Sequence, residues 1–162
     1  MNEAEVRNYL HILMDSLKKK MEILLSIEAS CKRQAEVIQA EPFDMEQLDE
    51  TFEEKGRLID ALGEIDDGFS SVYDRIKEEL EVHKELYKQE ILTMQEQIRR
   101  ITDMSVSIQA QEMRNRSGID GKVTMRRQEL GRKRSANHAA QAYFQNMSKT
   151  GAILPQFMDK KN

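Results

Sequence analysis

Between residues 3 and 40 the chain contains neither glycine nor proline, and its apolar residues recur at Val6, Leu10, Leu13, Leu17, Met21, Leu24, Ile27, Cys31, Ala35 and Ile38. Steps that alternate between three and four put all of these on one helical face, and no strand can reproduce that period. At 1.5 Å per residue the segment predicts a rod of about 55 Å. Such a rod cannot fold alone, because its apolar stripe needs other helices to cover it. The basic run Lys18-Lys19-Lys20 interrupts the stripe, and Lys20 stands where a strict heptad wants an apolar residue. We read Lys20 as a solvated or snorkelling lysine.

The first break is Glu41-Pro42-Phe43-Asp44. Asp44 with Gln47 three residues on makes a capping box, and Phe43 and Leu48 occupy the two positions of a hydrophobic staple. The next helix carries Met45, Leu48, Phe52, Ile59 and Leu62 on one face, with Lys55 and Gly56 weakening its middle. The short turn at Pro42 predicts that the first two helices pack antiparallel.

A second break is expected at Gly63-Glu64-Ile65-Asp66-Asp67-Gly68, with a third helix starting near Asp67. Its stripe runs through Phe69, Val72, Tyr73, Ile76, Leu80, Tyr87, Ile91, Met94, Ile98, Ile101, Met104 and Ile108, and no glycine or proline follows before Gly118. That is roughly 45 residues, or nearly 70 Å at the same rise. A third helix of this length outreaches the second, so part of its stripe calls for another segment or a partner. His83, Glu90 and Gln97 sit on this stripe where a regular coiled coil places Leu or Ile.

Polarity changes after Met113. Residues 1–112 hold 14 Lys+Arg against 26 Asp+Glu, net −12, and residues 113–162 hold 11 against 3, net +8, which sum to the −4 of the whole chain. We therefore divide the chain into an acidic long-helix body, 1–112, and a basic, flexible segment, 113–162. Residues 114–121 read as a joint, and residues 122–134 form a basic stretch. Ser135 can cap a short helix with Ala136, Ala139, Ala140, Tyr143, Phe144 and Met147 on one face, stopped at Gly151. At about 15 residues it is marginal in water alone and needs a surface to dock on. Ala152-Ile153-Leu154-Pro155-Gln156-Phe157-Met158 is apolar without helical period and reads as a linear docking element.

The expected fold class is thus all-α: an antiparallel bundle of three long amphipathic helices, a short C-terminal helix and a mobile tail. No apolar run approaches the ~20 residues that cross a bilayer, and the N-terminus lacks the pattern of a secretory signal, so a cytoplasmic protein is expected. Cys31 is the single cysteine and falls on the apolar stripe as a small core residue. The carboxylates Asp49, Glu50, Glu53, Glu54, Asp66, Asp67, Glu78, Glu79 and Glu81 are assigned to solvated faces or turns, which do not perturb a pKa toward acid/base work. His11 and His138 are isolated, His83 is a polar stripe residue, and no Glu-x-x-His pair of a di-iron bundle occurs. No catalytic residue, metal or cofactor is expected. Arg126-Arg127 and Arg132-Lys133-Arg134 could meet phosphates, but an acidic body repels a polyanion, so nucleic acid ranks below the chain's own acidic helices or a protein partner.

Two segments resemble the FlgN-type flagellar export chaperones of Gram-positive bacteria. One is Glu53-Glu54-Lys55-Gly56-Arg57-Leu58-Ile59-Asp60-Ala61-Leu62 running into Asp66-Asp67-Gly68-Phe69. The other is Tyr143-Phe144-Gln145-Asn146-Met147 with Gln156-Phe157-Met158-Asp159-Lys160-Lys161. The resemblance extends to a long first helix, a shorter second, a longer third and a mobile C-terminus, while residues 126–134 are more basic than the family pattern. It implies a small cytosolic chaperone that binds the terminal helices of hook–filament junction subunits before their secretion, with the export apparatus as a further partner. Polymerising subunits carry amphipathic terminal helices, and a helix-in-groove site would shield them. The 10 methionines provide an adaptable lining. The partner-binding residues expected are Ile98, Ile101, Met104 and Ile108 on the third helix, Ala136, Ala140, Tyr143, Phe144 and Met147 on the short helix, and Phe157. The alternatives are a coiled-coil adaptor that homodimerises through the third helix, and a nucleic-acid binder acting through the basic tail.

Overall fold

The computed structural model describes residues 1–124 and 138–147. Three long helices, α1 (Glu3–Gln39), α2 (Met45–Val82) and α3 (Lys88–Val123), are followed by a short α4 at 138–147. Asn2 opens α1 with a capping box, its side chain accepting from the Glu5 amide while Glu5 accepts from the Asn2 amide. Asp44 opens α2 by accepting from the amides of Glu46 and Gln47, the backbone half of the expected box. Phe43 packs on a small cluster that contains Leu48, as the staple requires.

α1 is the central helix. It runs antiparallel to α2, with Lys20 beside Asp66 and Arg33 beside Glu54, and parallel to α3, with Arg7 beside Glu90 and Cys31 beside Glu112. α1 lies against both neighbours, whereas no Cα of α2 comes within 8 Å of one in α3. The space between α2 and α3 is therefore a groove, floored by α1.

The expected break at residues 63–68 does not exist, since α2 is one unbroken helix of 38 residues. A glycine inside a helix costs about 1 kcal/mol relative to alanine. Against two such costs stand the buried Leu62, Phe69, Tyr73, Ile76 and Leu80, each stabilising by roughly 1.5–3 kcal/mol when removed from water. Burial wins, and the helix continues through both glycines. The chain reverses instead at residues 83–87, where His83 is the C-cap of α2 and Tyr87 precedes α3. No glycine or proline marks this turn. Because Leu80, Tyr87 and Ile91 keep the same apolar phase on both sides of it, the stripe runs on as though the helix did.

This also corrects the expectation of an over-long third helix. α1, α2 and α3 have 37, 38 and 36 residues, so none outreaches its neighbours. The joint expected at 114–121 is likewise helical and belongs to α3. Gly118 is there for packing: a Cβ at this position would lie 2.8 Å from Cγ2 of Ile38. Gly63 and Gly68 have nothing within 4 Å of the same point. We expect Gly63→Ala and Gly68→Ala each to raise stability by about 0.5–1 kcal/mol. Gly118→Ala should lower it by about 1–3 kcal/mol, because the β-branched Ile38 is stiff and buried. Urea unfolding of the three variants checks the set, and a loss at Gly63 or Gly68 would contradict a continuous α2.

Each long helix presents one seam with steps of three and four: Val6 to Ile38 in α1, Leu48 to Leu80 in α2, and Ile91 to Ile119 in α3. The polar residues within the seams fall at two levels. At one level Lys20 of α1, Asp66 of α2 and Ser105 of α3 adjoin a common cavity. At the other, Gln34 and Cys31 of α1, Lys55 of α2, and Glu112 and Asn115 of α3 are buried together. Lys55 Nζ lies 2.7 Å from Glu112 Oε1 and 2.8 Å from Gln34 Oε1. Asn115 donates to the Cys31 carbonyl and to Gln34. This layer separates the main core from a smaller cluster of Val37, Ile38, Leu48, Phe52 and Ile119. Lys55, expected to weaken the middle of α2, is inserted into the core and paired there.

Candidate functional site

α4 occupies the groove between α2 and α3, running antiparallel to α3. Arg116 donates to Gln141 at 2.8 Å and contacts His138, and near the other end Ser105 Oγ lies 3.8 Å from the Met147 sulfur. Most of the face predicted from sequence enters: Ala140, Phe144 and Met147 are buried, Phe144 completely, and Tyr143 is half-buried, whereas Ala139, expected on the same face, is exposed and Gln141 is buried in its stead. The rings of Tyr143 and Phe144 meet edge-on, with centroids 5.3 Å apart. Tyr143 donates its phenol proton to Asp66 Oδ2 at 2.5 Å, and Lys20 Nζ lies 2.6 Å from Asp66 Oδ1.

The expected partner-binding residues are thus brought to one place, but against each other. Ile98, Ile101 and Ile108 are buried and Met104 is half-buried; all four belong to or pack on the core cluster that contains Phe144 and Met147. In this state they close the protein's own bundle and are not an open surface. Ala136 and Phe157 lie outside the described residues, as does the basic run at 126–134.

Among the described residues, none fills the groove beyond the last turn of α4. A cavity of about 200 Å³ remains there. Leu17, Ile65, Phe69, Ile98, Ile101 and Met147 supply its apolar walls, and Lys20, Asp66 and Tyr143 its polar edge. Lys20 and Asp66 are the residues that sequence reasoning misplaced. Lys20 reads in the sequence as a solvated or snorkelling lysine and Asp66 as part of a solvated face or turn, whereas the two pair with each other, their side chains 12% and 33% exposed. The legible signal was the seam itself: Lys20 and Asp66 each fall on the three-and-four period of their helix.

Electrostatics at the site favour neutral phenols. Burial, then the hydrogen bond to Asp66 and its charge, pushes the Tyr143 phenol well above the ordinary tyrosine range. Burial, with help from Glu81 and Asp74, pushes Tyr73 up to about 12. A group whose pKa is raised in the folded state contributes stability that is complete below its unfolded pKa, about 10 for tyrosine, and is lost as pH rises through the folded value. Stability should hold to about pH 10 and fall between pH 10 and 12. The fall should be smaller in Tyr143→Phe, which has one fewer phenol to titrate. Urea midpoints across that range decide it, and an equal fall in both proteins would contradict the role of Tyr143.

Burial and the neighbouring Glu112 also hold the Cys31 thiol protonated, its pKa raised far above the usual range. A buried neutral thiol is a poor nucleophile. Among the described residues no cluster of His, Cys, Asp and Glu could hold a metal ion, and no helix is long and apolar enough to cross a membrane. No protein-family model, curated protein or solved structure gives a match to this chain.

Proposed function

We propose that this protein is a partner-binding chaperone whose α2/α3 groove receives an amphipathic helix of a client protein. The observation that carries the reading is α4. A helix this short is marginal in water, and it is held here by a groove that takes one face of it, with Phe144 at 0% exposure. A client helix with the same spacing of apolar residues would find the same walls. The three seams clamp α1, α2 and α3 together, so the groove is preformed and the guest supplies the fourth helix.

The resemblance to FlgN-type export chaperones supplies the class of client: the terminal helices of hook–filament junction subunits, kept in the cytoplasm until export. Those helices polymerise through apolar faces, and covering such a face is what this groove suits. The test uses synthetic peptides that copy the terminal helices of the axial flagellar subunits from the source organism. We expect a one-to-one complex with at least one of them by native mass spectrometry. If none binds at micromolar concentration, the flagellar reading fails.

A further inference from the structure

We infer that Asp66 selects the partner: a helix that takes the seat of α4 must carry a hydrogen-bond donor at the position of Tyr143, directly before its main apolar anchor. This rests on the reading that a client helix occupies the α2/α3 groove. Asp66 stands on the α2 seam, and its two oxygens have separate partners. Lys20 of α1 neutralises Oδ1 from within the bundle, whereas Oδ2 accepts from α4 alone among the described hydrogen bonds.

Two of the hydroxyls that line the cavity beside it are committed elsewhere. Ser105 donates to the carbonyl of Ile101, and Thr102 to that of Ile98. A guest that covers Oδ2 without donating to it strips an acceptor of water and gives nothing in return. The Asp66 side chain is partly buried, at 33% exposure, and an acceptor left in that way costs about 1.4 kcal/mol, which is roughly 10-fold in affinity. A guest with Asp or Glu at this position also meets like charge.

α4 therefore supplies a template for the partner: a small residue where Ala140 lies, a donor at Tyr143, a large apolar side chain at Phe144, and a flexible apolar one at Met147. Tyr, Ser, Thr, Asn, Gln, Lys and Arg satisfy the second position, and Phe, Leu, Asp and Glu do not.

The experiment uses the full chain with Phe144→Ala and Met147→Ala, which loosen its own α4. The probes are fluorescein-labelled peptides copying residues 135–150, one with Tyr at position 143 and one with Phe. Fluorescence anisotropy should give an affinity ~10-fold higher for the tyrosine peptide. In the same protein carrying Asp66→Asn or Asp66→Leu, that preference should shrink or vanish, with helicity verified by circular dichroism. Equal binding of the two peptides to protein with Asp66 intact overturns the selection rule while leaving the groove reading in place. If neither peptide binds, the groove reading and the rule fall together.

Discussion

Lys55→Met lowers the stability of the fold by about 3–5 kcal/mol, and so does Glu112→Leu, but the double substitution restores most of the loss. The cause is desolvation. The side chains of Lys55 and Glu112 are 3% and 0% exposed, so whichever charge survives a single substitution stays in the core without its counter-ion. With about 5–15 kcal/mol of stability in a typical domain, either single variant stands close to unfolding. The double variant removes both charges and leaves apolar side chains of similar volume, which is often neutral or better. Gln34 and Asn115 then keep their own hydrogen bond. Urea unfolding followed by circular dichroism gives the double-mutant cycle. Additive losses would contradict the pairing.

Phe144→Ala should act on a different part of the molecule. Removing a fully buried phenylalanine costs about 3–5 kcal/mol, more than a short helix gains from docking at one face. The expected result is that α4 leaves its groove while the three long helices stay folded. Amides at 138–147 should lose protection from hydrogen exchange, those of the seams should keep it, and the opened groove should bind an apolar dye. Ile101→Ala, by contrast, makes its cavity inside the bundle and should lower the main unfolding midpoint. If Phe144→Ala lowers that midpoint equally and leaves α4 protected, α4 is an integral part of the core and not a guest in it.

These two expectations separate what sequence periodicity reveals from what it conceals. The stripe from Val6 to Ile38, the Asp44 cap and the apolar face of α4 were all legible, because each depends on residues near one another in the chain. The turn at residues 83–87 was not. It contains no breaker, and the apolar phase of Leu80, Tyr87 and Ile91 passes through it unchanged. Gly63 and Gly68 misled in the opposite sense, since their helix cost is local while the burial that outweighs it comes from α1 and the rest of the core cluster, distant in sequence. The partners of Lys20, Lys55 and Asp66 are 46, 57 and 77 residues away in sequence, and no local rule connects them. Their seam positions were visible, but charge on a seam reads as solvent exposure until the facing helix is placed. The candidate site was legible as two apolar sets, on α3 and α4, and the fold shows that each covers the other.

In the function proposed, a client helix takes the place of α4 between α2 and α3. The most direct measurement is the distance between spin labels on Ser107→Cys in α3 and Gln145→Cys in α4, both at exposed positions. Cys31 is buried and its thiol is held protonated, so it stays unlabelled. Without a client, pulsed electron resonance should give one short, narrow distance. On adding a terminal-helix peptide that binds, the distances should become long and broad as α4 is displaced. A peptide that binds while the short distance persists would place the client elsewhere and overturn the groove as its seat.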